Sequence, residues 1–285
     1  MDQPRQRLAP PRALVTPPHA AVEVYPRAAV LTAWVNAIAA GAVDGLAECP
    51  VLDPSDPFSV GTRAIPATPD APGWLAGRWT LGEAVTAWPH RESAQCALPV
   101  PGDLAGLPAD VPGALAAGQA VVVPGSDAAW VLWPSVAGET GTIWRAATGP
   151  PVARADRDVR HDRLTVMARL TEAVAYFEAT GPVRSSRDNV ARRMAALDTV
   201  PMPPESDAAA VALARLSAQL LVIVDAVLNP YPTVSDSRRV VDPSPAPRQT
   251  THDQVAQTLA PLGRVGRSAL AIVFSATHTP RSVRQ

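Results

Sequence analysis

The sequence predicts an α+β protein: a small, mainly antiparallel β-meander with flanking helices, packed on a C-terminal helical bundle. Three observations carry this. Four short segments rich in Val, Trp and Ala, separated by turn residues, fall between positions 95 and 148. Beyond residue 150, apolar residues recur every three to four positions, the spacing of one helix face. A hydrophobic fraction of 47% with 18% charged residues belongs to a chain that can fold around a core. Aromatics make up only 5%, so Ala and Val supply much of that core and the helices are expected to approach closely.

Taken in order, residues 1–24 are Pro- and Arg-rich and expected to be disordered. Residues 25–150 are expected to form the α+β region. Its first helix spans about 26–47, with Val30, Trp34 and Ile38 at spacings of four and Pro26 in the first turn. The run from Cys49 to Gly73 is rich in Pro and Asp and reads as a long loop. A short helix over 81–88 stops at Pro89. Strands follow at 95–100, 120–123, 128–136 and 141–148. Between the first two, Asp110 is placed to cap a short helix that closes at Gly118.

Residues 151–278 are expected to form the bundle, interrupted by a flexible loop over 229–250. In the first of its helices, over 158–180, Val159, Leu164, Met167, Leu170, Val174 and Phe177 mark the buried stripe. Ser185 with Asp188 makes a capping-box pattern ahead of Val190 and Met194. The helix over 207–228 is apolar almost all round, which predicts the central member. Thr251 with Gln254 opens the last helix, in which Pro261 predicts a kink.

The composition also excludes chemistries. All 25 basic residues are arginine, and proline occurs 32 times; with abundant Ala, this reads as the codon usage of a GC-rich genome. Without lysine there is no Walker-type phosphate loop, no Schiff base and no kinase-type Lys–Glu pair. A net charge of −1 argues against a general nucleic-acid binder. Ten arginines against six acids lie between Arg145 and Arg193, whereas acids predominate between Asn36 and Glu139, so a contact between the halves is expected. Cys49 and Cys96 stand apart from any ligand cluster and read as buried, reduced thiols of a cytoplasmic protein. The most apolar stretch, 208–228, carries Arg215, Gln219 and Asp225, so it reads as a buried helix and no membrane partner is expected.

Five histidines lack metal-ligand spacing; His161-Asp162 is a lone pair with no second cluster, so neither metal nor cofactor is expected. No nucleophile motif is present. Asp225 in "LLVIVDAVL" must be paired or protonated if buried: it is either a ligand-anchoring carboxylate or the partner of Arg264 or Arg267. Trp130 and Trp133 fall on opposite faces of one strand. In "ALPVPGDLAGLP", Pro101-Gly102 suits a type II turn, Asp103 can accept from nearby amides, and Leu104 and Leu107 can pack the corner.

The segment "LPVPGDLAGLP", followed by "ALAAGQAVVV" and the terminal "LAPLGRVGRSALAIVFSA", resembles a family of uncharacterised proteins from high-GC actinobacteria. The helix "LTAWVNAIAAGAVD" fits it too. The resemblance implies an architecture over roughly residues 25 to 275 and brings no activity with it. The leading functional expectation is therefore a non-enzymatic interaction or regulatory protein with a protein partner. The second is a small-molecule-binding protein or enzyme with a cleft between the halves, using Asp103, Asp225, Arg264 and Arg267. The third is nucleic-acid association through Arg184, Arg187, Arg192 and Arg193, with affinity falling steeply with salt.

Overall fold

A computed structural model describes residues 25–49, 51–55, 57–60, 78–86, 93–100, 102–125, 127–137, 141–152, 159–180, 187–198, 200–228 and 247–276. Seven α-helices are described: α1 (Arg27–Ala39), α2 (Leu81–Thr86), α3 (Pro112–Ala117), α4 (Val159–Thr180), α5 (Arg187–Ala195), α6 (Ala208–Leu228) and α7 (Pro247–Ala276). Six strands, β1 (Pro57–Val60), β2 (Arg78–Thr80), β3 (Gln95–Ala97), β4 (Ala120–Val123), β5 (Ala129–Ala137) and β6 (Gly141–Gly149), form one sheet in the order β2-β1-β6-β5-β4-β3. The expected meander is β3 to β6, antiparallel throughout. The sheet is larger than expected, because β1 adds parallel to β6 and β2 adds antiparallel to β1. Both are short segments in or beside the Pro-rich run, where alternation is too brief to show in the sequence. The tail over 1–24 and most of the expected loop over 229–250 lie outside the described residues.

Both faces of the sheet are covered, by different means. On one face Cys96, Leu98, Val121, Val123, Leu132 and Trp144 join the main core with Leu31 and Trp34 of α1 and Leu270, Val273 and Phe274 of α7. On the other, Ala97, Ala120, Val122, Val131 and Trp133 pack against Leu107, Val111 and Ala114. All four residues of β4 are therefore buried, as a two-faced strand requires. Ten consecutive residues of α1, Ala28 to Ala37, are buried; their Ala content lets the sheet and α7 approach. Tyr25 stacks obliquely on Phe274, ring centroids 6.0 Å apart. Burial pushes its hydroxyl pKa up to about 12, against the opposing pull of Arg215.

A buried amide joins the two ends of the chain. Asn36, 3% exposed, accepts a hydrogen bond from the Ala94 N–H (2.7 Å) and donates to the carbonyls of Ala94 (3.0 Å) and Ser275 (3.1 Å). Ser275 Oγ in turn accepts from the Cys96 N–H (2.8 Å) and donates to Ala271 O (2.6 Å). The outward amide of edge strand β3 is thereby covered by the end of α7.

Several local expectations change. Residues Thr80 and Glu83 form a reciprocal capping box for α2, with Thr80 N–H donating to Glu83 Oε2 (2.8 Å) and Glu83 N–H to Thr80 Oγ1 (3.3 Å). Helix α3 closes at Gly118, φ +65°, as expected, but its N-cap is Val111 and Asp110 is exposed, leaving the cap to Pro112 at the first position. Pro26 is the N-cap of α1, one residue before its first turn; there Gln119 Oε1 accepts the Ala28 N–H (3.0 Å). The α4 stripe is not one face: Val166 is buried and Leu170 half-buried, whereas Leu164, Met167 and Val174 are exposed. The central bundle member is α7, which packs on α1, α4, α6 and β3, and not α6. Helix α7 also starts at Pro247, earlier than Thr251, and continues through Pro261.

Asn36→Leu should leave one buried N–H and two carbonyls without partners and cost about 3 kcal/mol in denaturant unfolding. A loss below about 0.5 kcal/mol would mean that the amide is not structural.

Candidate functional site: a groove on the outer face of the sheet

The outer sheet face is only partly covered, because α3 has six residues. Between α3 and the β5–β6 hairpin lies an open groove of about 960 Å³, within the size range of small-molecule sites. Trp133 and Ala147 of adjacent strands and Val111, Gly113 and Ala117 of the α3 side line its apolar part. It follows β6 from Thr142 to Thr148, about 20 Å at strand spacing.

Charge is distributed along that axis. At the β6 start, Arg27 donates from Nη1 to Thr142 Oγ1 (2.6 Å). Midway, Arg145 sits directly across from Trp133 in the strand register and is exposed. Asp110 lies at the far end, its Oδ1 close to Gly149. Gln119 ties the Arg27 end to β4 through the Ala28 amide. The groove therefore carries two guanidinium groups at its start and middle and one carboxylate at its end. Its lining holds the hydroxyls of Ser135, Thr142 and Thr148 but no His or Cys among the described residues.

Close packing sets the position of Trp133. A Cβ on Gly113 would fall 2.7 Å from Trp133 Cζ2 and 3.0 Å from Cε2. Gly113 is needed for space rather than for backbone freedom, and the absent side chain is what lets the indole pack this close to α3. Trp130 faces the other way, against the main core, so the two tryptophans divide between the faces as expected.

The sequence-predicted site residues are dispersed. Asp103 is exposed; its Oδ1 accepts the Ala105 N–H (3.0 Å), and its backbone pairs with Val100 in both directions (2.9 Å each). Gly102 has φ +84°, as a type II turn requires at its third residue. Pro101 lies outside the described residues, and Leu104 is exposed while Leu107 alone packs inward. Asp103 thus shapes a corner and does not line the groove.

Asp225 is ion-paired to Arg193 of α5, one of the four arginines that the sequence offers as phosphate contacts. Arg267 is half-buried, and burial lowers its pKa while the nearby Asp225 opposes the shift. Arg264 is exposed. Asp225 of α6 thus pairs with Arg193 of α5, and Arg267 of α7, one of the two partners the sequence offered, also lies near enough for its charge to be felt. Arg184 lies outside the described residues, as do the side chains of Arg187 and Arg192. Cys49 and Cys96 are free and buried, and burial pushes both thiols up, away from reactivity. Among the described residues no three His, Cys, Asp or Glu gather as metal ligands.

Sequence reasoning did not single out Arg27, Arg145, Gly113 or Gln119. Trp133 and Arg145 fall in two separate segments expected as strands; only the register between β5 and β6 makes them a pair.

Fold and groove together define an α+β protein with a partly open sheet face. Residues 28–158 match the family model described as Rv1486c-like protein, N-terminal domain. This supports the resemblance to an uncharacterised actinobacterial family, over a little under half of the chain. The match holds nearly the whole groove, Arg27 being one residue outside it, and none of α4 to α7. No curated protein and no solved structure matches the chain. Helix α6 is long and apolar enough to cross a membrane, with 56% of that stretch buried in the fold.

Gly113→Ala should tilt the Trp133 indole or lift α3, at a cost of about 1–3 kcal/mol. Tryptophan emission, compared with a Trp133→Phe background, should shift in the variant. Unchanged emission and stability would mean that the contact is not tight.

Proposed function

We propose that this protein is a non-catalytic binding protein of the cytoplasm whose groove takes an extended organic anion with an apolar body. The observation that carries the reading is the cross-strand pair of Trp133 and Arg145, which sets an apolar surface beside a cation on one wall. Arg27 supplies a second cation at the β6 end. A guanidinium binds carboxylate, sulfonate or phosphate through paired N–H donors. Asp110 at the opposite end favours a ligand whose far end carries a hydroxyl or amine donor. The absence of His and Cys from the described lining favours capture over covalent chemistry.

In this reading "LPVPGDLAGLP" is the family's marker because it builds the corner that carries Leu107 and, after it, α3, one wall of the groove. Asp103 serves that corner and is not a ligand contact. Interaction with a protein partner, the role first suggested by the sequence, then becomes what ligand occupancy of the groove regulates.

The test is titration of the full chain with 8-anilinonaphthalene-1-sulfonate, an aromatic sulfonate, and with a medium-chain fatty carboxylate competing for the same site. Saturable binding should weaken roughly tenfold or more in Arg145→Glu, the loss expected for a charge-assisted hydrogen bond. Binding that is non-saturable, or indifferent to Arg145→Glu, would overturn the reading.

A further inference from the structure

Two charges of opposite sign stand apart in the same groove. Its lining holds three charged side chains, Arg27, Arg145 and Asp110. Arg27 is engaged with Thr142, whereas among the described residues Arg145 and Asp110 form no hydrogen bond or ion pair. Both are exposed. On β6, positions 145, 147 and 149 share the outer face, because alternate residues of a strand point the same way. Ala147 packs there with the outer cluster, and Trp133 and Val131 stand across from Arg145 and Ala147. Asp110 closes the row: a Cβ on Gly149 would lie 3.3 Å from its Oδ1. The strip therefore runs from a cation, over an apolar floor, to a carboxylate. Arg145 and Gly149 are about 14 Å apart at strand spacing, too far for the two charges to pair with each other.

We propose that the groove selects a dipolar chain, a linear molecule with a carboxylate at one end and a primary amine at the other. The inference rests on the reading of the groove as an anion site and adds a second charge, its sign and its distance. The carboxylate lies against Arg145, the methylenes run over Ala147 beside Trp133, and the ammonium reaches Asp110. An ammonium answers an exposed carboxylate with charge as well as donors, which a hydroxyl does not. The two anchoring positions fit an extended chain of roughly eight to twelve atoms, with bonds of about 1.5 Å. A shorter chain reaches one charge only, and a dicarboxylate sets its second anion against Asp110.

The full chain loaded with 8-anilinonaphthalene-1-sulfonate is titrated with four competitors: 8-aminooctanoate, its N-acetyl derivative, octanedioate and 4-aminobutanoate. The first should displace the dye roughly three- to fivefold better than its N-acetyl derivative, the advantage an exposed ion pair provides. The short 4-aminobutanoate should be the weakest of the four. In Asp110→Asn the advantage of the amine should vanish, and in Asp110→Lys the order should invert in favour of octanedioate. Asp110 is exposed, and circular dichroism checks that both variants keep the fold. Equal displacement by the amine and its N-acetyl form, with dye binding still lost in Arg145→Glu, would overturn the dipolar ligand and leave the anion reading standing. An Asp110→Lys chain that keeps the wild-type order would do the same. Dye binding indifferent to Arg145→Glu would overturn both.

Discussion

The carboxamide of Asn36 is the interaction on which the rest of the structure depends. It lies within an otherwise apolar helix and closes three hydrogen bonds to backbone groups from β3's approach and from the end of α7. Each of those backbone groups would be costly to bury unpaired. Its two partners lie 58 and 239 residues away, so it also fixes the relation of the N-terminal sheet to the C-terminal helices. Ser275 extends the link to Cys96. The sheet face toward α1 and α7 is then sealed by packing that has little freedom to slide.

The groove follows from that commitment. With one face closed by the long helices, the other is left to α3 and the corner before it. One short helix cannot cover a hairpin of two nine-residue strands. The uncovered part is where Trp133 and Arg145 meet across the β5–β6 register. On the bundle side, small residues let the helices approach: a Cβ on Gly266 would lie 3.1 Å from Leu221 Cδ2, with α7 pressed onto α6 at that point. The core is built from many modest contacts, and directional hydrogen bonds such as those of Asn36 select among its alternative packings.

Much of the architecture is legible in the residues. Turn chemistry between Val- and Trp-bearing segments shows the meander, and the strands of β4, β5 and β6 fall within a residue or two of expectation. What periodicity cannot show is which of two apolar stripes faces inward. In α4 one stripe holds Val166 and Leu170 and the other Leu164, Met167 and Val174, and only the position of α7 decides between them. Composition likewise pointed to α6 as the central helix because it is the most apolar, yet centrality is a matter of neighbours and belongs to α7. The groove was hidden because its pairs are cross-strand and its arginines look like surface residues. Asn36 did leave a signal: an amide amid "TAWVNAIA" is a polar group on an apolar helix, and such a group needs partners. Nothing local says that they lie near Ala94 and Ser275.

Native-state hydrogen exchange at Ala94 and Cys96 tests the central claim most directly. If the Asn36–Ser275 link unites the two ends of the chain, both amides exchange only on global unfolding, within about tenfold of the slowest core amides of α1 and α7. Exchange through local opening, with Ala94 and Cys96 much faster than the helices they are bonded to, would contradict it.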